Sequence, residues 1–182
     1  MTPISVSYKA VIAVALFVFL SVPDIAPQTL PNEDTRNAAG DKGSLHEFLD
    51  SASETLVALS MAEDQDTGEE QLRALLETHR ALDRDSRISN YSILHLSVIT
   101  GAPWFVHGVI RRGLAAEYSS PVNDDEIIVL FIDDLDDFSA TVGVPVARRP
   151  SWLLVSPDGS VNWWERDRGE GTAEVLLERL AF

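Results

Sequence analysis

The sequence predicts an α/β protein built on a mixed central sheet. Three observations lead there. Short β-branched apolar runs of strand length alternate with apolar stripes at helical spacing. A Pro157-Asp158-Gly159 turn joins two late strands as a hairpin. Of the 182 residues, 45% are apolar, enough to bury the core of one domain.

The elements follow in chain order. Lys9 precedes Ala10–Val22, an uncharged apolar run that Pro23-Asp24 ends. Such a run is about 20 Å of helix, short of the roughly 20 residues that cross a bilayer. Residues 1–27 therefore read as a secretory signal or, if uncleaved, as an N-terminal membrane anchor. Residues 28–43 are rich in Pro, Asn, Asp and Gly and read as a flexible linker. The folded domain is expected over 44–182. Ser44 and Glu47 have capping-box spacing, and Leu45, Phe48, Leu49, Ala52, Leu56 and Leu59 make one helical stripe. Thr67 and Glu70 open a second helix with Leu72, Leu75, Leu76 and Leu82. His79 lies on that stripe as a packing residue. Together these form a helical addition over 44–84.

The core is expected over 91–182. Tyr91–Ile99 is a strand, Phe105–Tyr118 a helix, and Ile127–Ile132 a strand covered on both faces. Asp136–Val142 is a short helix, Trp152–Val155 and Val161–Trp164 the hairpin strands, and Thr172–Leu180 the closing helix. The run Asp133-Asp134-Leu135-Asp136-Asp137 lacks calcium-loop spacing and reads as a solvated helix start. Trp163 and Trp164 must point to opposite faces, one to the core and one outward.

Composition excludes much. The net charge is −15, from 29 acidic and 14 basic residues, and only Lys9 and Lys42 are lysines. That argues against nucleic acid as a partner and against a polybasic lipid patch, leaving the membrane reachable only through the N-terminal segment. There is no cysteine. Disulfides, thiolate metal sites, iron–sulfur clusters and thiol catalysis are excluded with it. Ser97, Ser151 and Ser156 have no nucleophile-elbow context. His95 and His107 lack a third converging metal ligand. No cofactor, metal or enzymatic activity is expected.

From Ser92 to Phe182 the order and punctuation resemble the thioredoxin-like superfamily. In that fold a strand enters a Cys-Gly-Pro-Cys turn at a helix N-terminus; here Ile93–Ile99 enters Gly101-Ala102-Pro103-Trp104 before a helix ending Leu114-Ala115-Ala116-Glu117-Tyr118. Phe131-Ile132-Asp133, Val142-Gly143-Val144 and Arg149-Pro150-Ser151-Trp152 match the later strand, tripeptide and cis-proline segments. The resemblance implies a three-layer α/β/α domain with a mixed sheet. It also places Gly101 and Trp104 at the cysteine positions and His95 buried beneath the motif as a neutral imidazole. Without sulfur, no disulfide exchange can run.

The reading that follows is an acidic, non-redox thioredoxin-fold protein, exported to the periplasm or anchored to the inner membrane facing it. It would bind a peptide or protein partner as an envelope accessory or assembly factor, through Gly101, Pro103, Trp104, Arg149 and Pro150. In the competing view, Trp104 only fills the space two sulfurs would occupy. Two further alternatives stay open: an oxidoreductase relative acting with a partner's thiols, and an interaction domain using its N-terminal helices.

Overall fold

The computed structural model describes residues 28–118 and 122–181; the expected signal or anchor, residues 1–27, lies outside them. The strands are β1 Asp34–Asn37, β2 Lys42–Ser44, β3 Thr55–Met61, β4 Ser92–Thr100, β5 Ile127–Ile132, β6 Ser151–Val155 and β7 Val161–Arg166. They form one mixed sheet in the order β2-β1-β5-β4-β3-β6-β7. β3, β4 and β5 run parallel, while β6 and β1 flank them antiparallel. The helices are α1 Gln65–Leu82, α2 His107–Tyr118, α3 Leu135–Val142 and α4 Thr172–Leu180. The three layers follow from which residues bury together. Phe138 and Val142 of α3 join Leu30, Leu45 and Leu49 against one face of the sheet. Leu75 and Leu82 of α1 and Leu176, Leu177 and Leu180 of α4 cover the other, beside a smaller cluster where Leu72 and Leu76 meet Tyr118 of α2. Among the described residues no helix is long and apolar enough to cross a membrane.

The elements from Ser92 onward lie where the sequence places them, within a few residues at each end. The earlier part does not. Residues 28–43 are no linker: Thr29 bridges Ser160, Leu30 is only 1% exposed, and β1 and β2 form a hairpin on the sheet edge. The helix expected through Leu59 is a single 3-10 turn, Leu45–Phe48, held by Glu47 accepting the Ser44 N–H at 3.0 Å. After it comes β3, with all seven residues buried. A strand buried on both faces loses the two-residue alternation that would identify it. The helical addition over 44–84 is thus a central strand followed by α1. That helix is capped by Asp64, which accepts the Thr67 N–H at 2.8 Å, and Glu70 pairs with Arg148 instead of closing a box.

Trp163 and Trp164 do face opposite sides, but both are half-buried. Trp164 packs on the α3 side under Arg166, and Trp163 on the α4 side under Arg179, each guanidinium 5.3 Å from its ring centre. Neither ring is left bare.

Leu30→Ala is expected to lower stability by about 2–5 kcal/mol, as for other fully buried leucines. Urea denaturation reads this directly; an unchanged midpoint would mean that the segment is a tether after all.

Candidate functional site

The site is set by which loop stands beside the proline. β6 pairs antiparallel with β3, with Leu59 opposite Ser151. β3 then runs on through Ser60 and Met61, while the chain enters β6 through Arg149 and Pro150. The turn facing the proline loop is therefore Ala62–Asp64 at the N-terminus of α1. Several bonds pin the loop there. Gln71 Nε2 donates to the carbonyls of Met61 (2.8 Å) and Ala147 (2.7 Å). Arg148 donates to both oxygens of Glu70 at 2.8 Å, holding that carboxyl below the usual range. From the other side Arg166 donates to the carbonyls of Pro145 and Arg149, and the Asp167 N–H to that of Pro150. Pro150 is buried and Arg149 exposed.

Gly101-Ala102-Pro103-Trp104 closes the next strand. β4 lies on the opposite side of β3 from β6, so two strand spacings, about 10 Å, separate it laterally from the proline strand. Gly101 takes the left-handed conformation, φ 67°, that a side chain resists. His107 fixes the turn from α2: its Nε2–H donates to the Ala102 carbonyl at 2.8 Å while its ring stacks on Phe131, centres 3.6 Å apart. The turn presents rather than buries its aromatics, with Trp104 82% and Phe105 67% exposed. Trp104 is not a filler. Between α1 and α2, across the ends of β3 and β4, runs a cleft of about 800 Å³ floored by Leu72, Leu76, Val98, Ile110 and Leu114.

Solved structures resemble this architecture at low identity. BsSco, a member of the Sco family of cytochrome c oxidase assembly proteins, is 13% identical with a TM-score of 0.56, over 86% of this chain and 93% of its own. Yeast Sco1 is 12% identical, TM-score 0.54, over 86% and 96%. A thiol:disulfide interchange protein from Bacteroides sp. is 18% identical, TM-score 0.53, over 86% and 90%. The fold is thioredoxin-like. No protein-family model matches the chain, and no curated protein matches it.

In a thioredoxin-like fold the motif turn and the proline loop are neighbours, and that corrects the sequence reading of the motif. The turn beside Pro150 follows β3, so Gly101 and Trp104 do not hold the motif's cysteine positions. At the N-terminus of α1, Asp64 and Thr67 stand at the motif's four-residue spacing. Asp64 accepts from both the N–H and hydroxyl of Thr67, and these bonds, the N–H first, hold its carboxyl below the ordinary value. Neither turn carries sulfur. The five residues singled out from sequence split into two groups, Gly101, Pro103 and Trp104 beyond β4 and Arg149 and Pro150 before β6. The signal for the true turn was present as the uninterrupted run Thr55–Met61 ending in Glu63-Asp64.

His95 is fully buried, but not beneath either turn. It lies mid-way along β4, six extended residues or about 20 Å before Gly101. There it meets His79 of α1, whose Nδ1 is 2.8 Å from His95 Nε2, one ring donating to the other. The Tyr118 and Trp152 rings stand steeply to the His95 ring, at 75° and 77°, with centres 4.9 and 6.2 Å away. Sequence alone did not couple His79 and His95, sixteen residues apart. Burial lowers the pKa of both below the ordinary 6.5. For His95 the His79 charge adds to this; at His79, Asp83 and Glu126 oppose it and Arg80 assists.

Both shifts disfavour the imidazolium in the folded chain. Below about pH 6.5 the unfolded chain takes up protons that the folded chain refuses, so stability falls as pH drops. Denaturant midpoints are expected to decrease between about pH 7 and 5, above the carboxylate range. A flat profile there would contradict a neutral pair.

Proposed function

We propose that the chain is an exported, non-redox thioredoxin-fold protein that grips a peptide or a loop of a protein partner, as an accessory or assembly factor of the cell envelope. The observation that carries this is the pair Trp104 and Phe105, held outward by a turn that Gly101 and His107 fix. Among the described residues, the only other large apolar side chain so exposed is Val109, one helical turn on. Exposed apolar groups gathered in one place mark contact surfaces, and tryptophan is enriched among residues that dominate binding. The pair stands at the carboxyl ends of parallel strands, where open α/β sheets take their ligands. Pro103 caps the turn. Arg149, across β3, adds an exposed positive charge to the same end of the sheet.

Support for export comes from the apolar run Ala10–Val22, and for an assembly role from analogy with the Sco family, which is an argument from fold. The non-redox reading rests on the missing thiol. Turnover in an insulin-reduction assay is expected to be absent with purified protein, and measurable reduction would overturn it. A photo-crosslinking residue at Phe105 should yield one discrete adduct in intact cells, lost in Trp104→Ala. An exposed position carries little stability, so that variant should melt within about 0.5 kcal/mol of the parent. An adduct that survives Trp104→Ala, or none at all, contradicts the binding face.

A further inference from the structure

The sheet edge carries a charge arrangement that folding alone does not favour. In the β1–β2 hairpin Arg36 stands directly opposite Lys42. Directly opposed residues share a face, so two like charges confront each other, which is destabilising unless something of opposite sign lies between them. A third cation approaches from α2. The Arg111 guanidinium sits over Phe131, 5.1 Å from the ring centre, and its buried Nε has no hydrogen-bond partner among the described residues. Burial, and then the nearby Arg36 charge, push the Arg111 pKa down.

The three cations line one cleft of about 460 Å³. Two carboxylates also border it. Among the described residues neither Asp34 nor Glu47 pairs with any of the three, and Glu47 already accepts the Ser44 N–H. Acids outnumber bases 29 to 14 in this chain, so unpaired cations converging from three elements are not a product of composition.

We propose that this cleft binds a phosphate-type oxyanion, free or as part of a phosphorylated head group. Two guanidinium forks and an ammonium suit the spread oxygens of such an anion, and each fork can engage two of them. A charge near −2 relieves the Arg36–Lys42–Arg111 repulsion, which a single carboxylate would only halve. This site is separate from the Trp104 face and does not depend on it.

Calorimetric titration of the full chain at constant ionic strength tests it, with inorganic phosphate and the soluble monoester glycerol 3-phosphate as probes. Saturable binding of at least one probe is expected. Phosphate alone points to a free anion, and tighter monoester binding to a phosphorylated head group. Arg111→Gln and Arg36→Gln should each weaken binding by about tenfold or more, as loss of a hydrogen bond to a charged group does. Arg84→Gln, outside the cleft, should leave it unchanged. In phosphate-free buffer Arg36→Gln should melt no lower than the parent, and phosphate should raise the melting temperature of the parent and of Arg84→Gln more than that of Arg36→Gln. Absence of saturable binding by either probe, an equal response to chloride, or full binding by Arg111→Gln would overturn the proposal.

Discussion

Strand β3 is hydrogen-bonded along both edges, and the rest of the molecule takes its position from that. Thr55–Met61 pair with β4 on one side, and Thr55–Leu59 with β6 on the other. With both faces also covered, a slip of one residue would exchange Val57 and Leu59, which belong to the α3 side, for Leu56 and Ala58, which belong to the α1 and α4 side. The register is fixed by packing twice over. It then dictates the position of α1 over the sheet, the loop that meets the α1 N-terminus, and the outward location of the β4 turn.

This arrangement separates two features that thioredoxin-like chemistry would unite. Beside the proline loop the helix N-terminus is closed by its own residues, Asp64 with Thr67, and stapled by Gln71 and the Glu70–Arg148 pair. Those bonds use the polar groups locally. One strand away, the turn with the exposed aromatics spends its polar contacts on holding shape, through His107 and the Ala102 carbonyl. The result is an exposed apolar pair on a turn fixed by those contacts, with no thiol in either place. Deeper in the molecule His95 of β4 meets His79 of α1, with the Tyr118 and Trp152 rings against it.

What could be read from the sequence follows the same physics. From Ser92 on, each strand is bounded by a turn signal and each helix has a stripe or a cap, so local pattern and tertiary structure agree. Asp134 starting α3 through the N–H groups of Asp136 and Asp137 is one such case. Before that, pattern and structure diverge. Leu45, Phe48, Leu49 and Ala52 fall by accident into phase with Leu56 and Leu59, so a turn, a Ser-rich break and a buried strand imitate one helix. β2 is the edge strand and β1 lies between it and β5, neither contains a hydrophobic side chain, and the one strong anchor ahead of them, Leu30, is invisible without its partners. Misplacing β3 moved the motif by one strand-helix unit, and with it Gly101 and Trp104. The exposure of Trp104, the histidine pair and the Arg36–Lys42–Arg111 cluster are tertiary facts that no spacing rule contains.

The placement of β3 is tested most directly by NMR on the folded protein. Cross-strand contacts between the backbones of Met61 and Val98 and of Leu59 and Ser151 are expected, together with amides from Thr55 to Met61 among the slowest to exchange. Continuous three-residue helical contacts running from Leu45 through Leu59, with no contact from Leu59 to Ser151, would contradict the account.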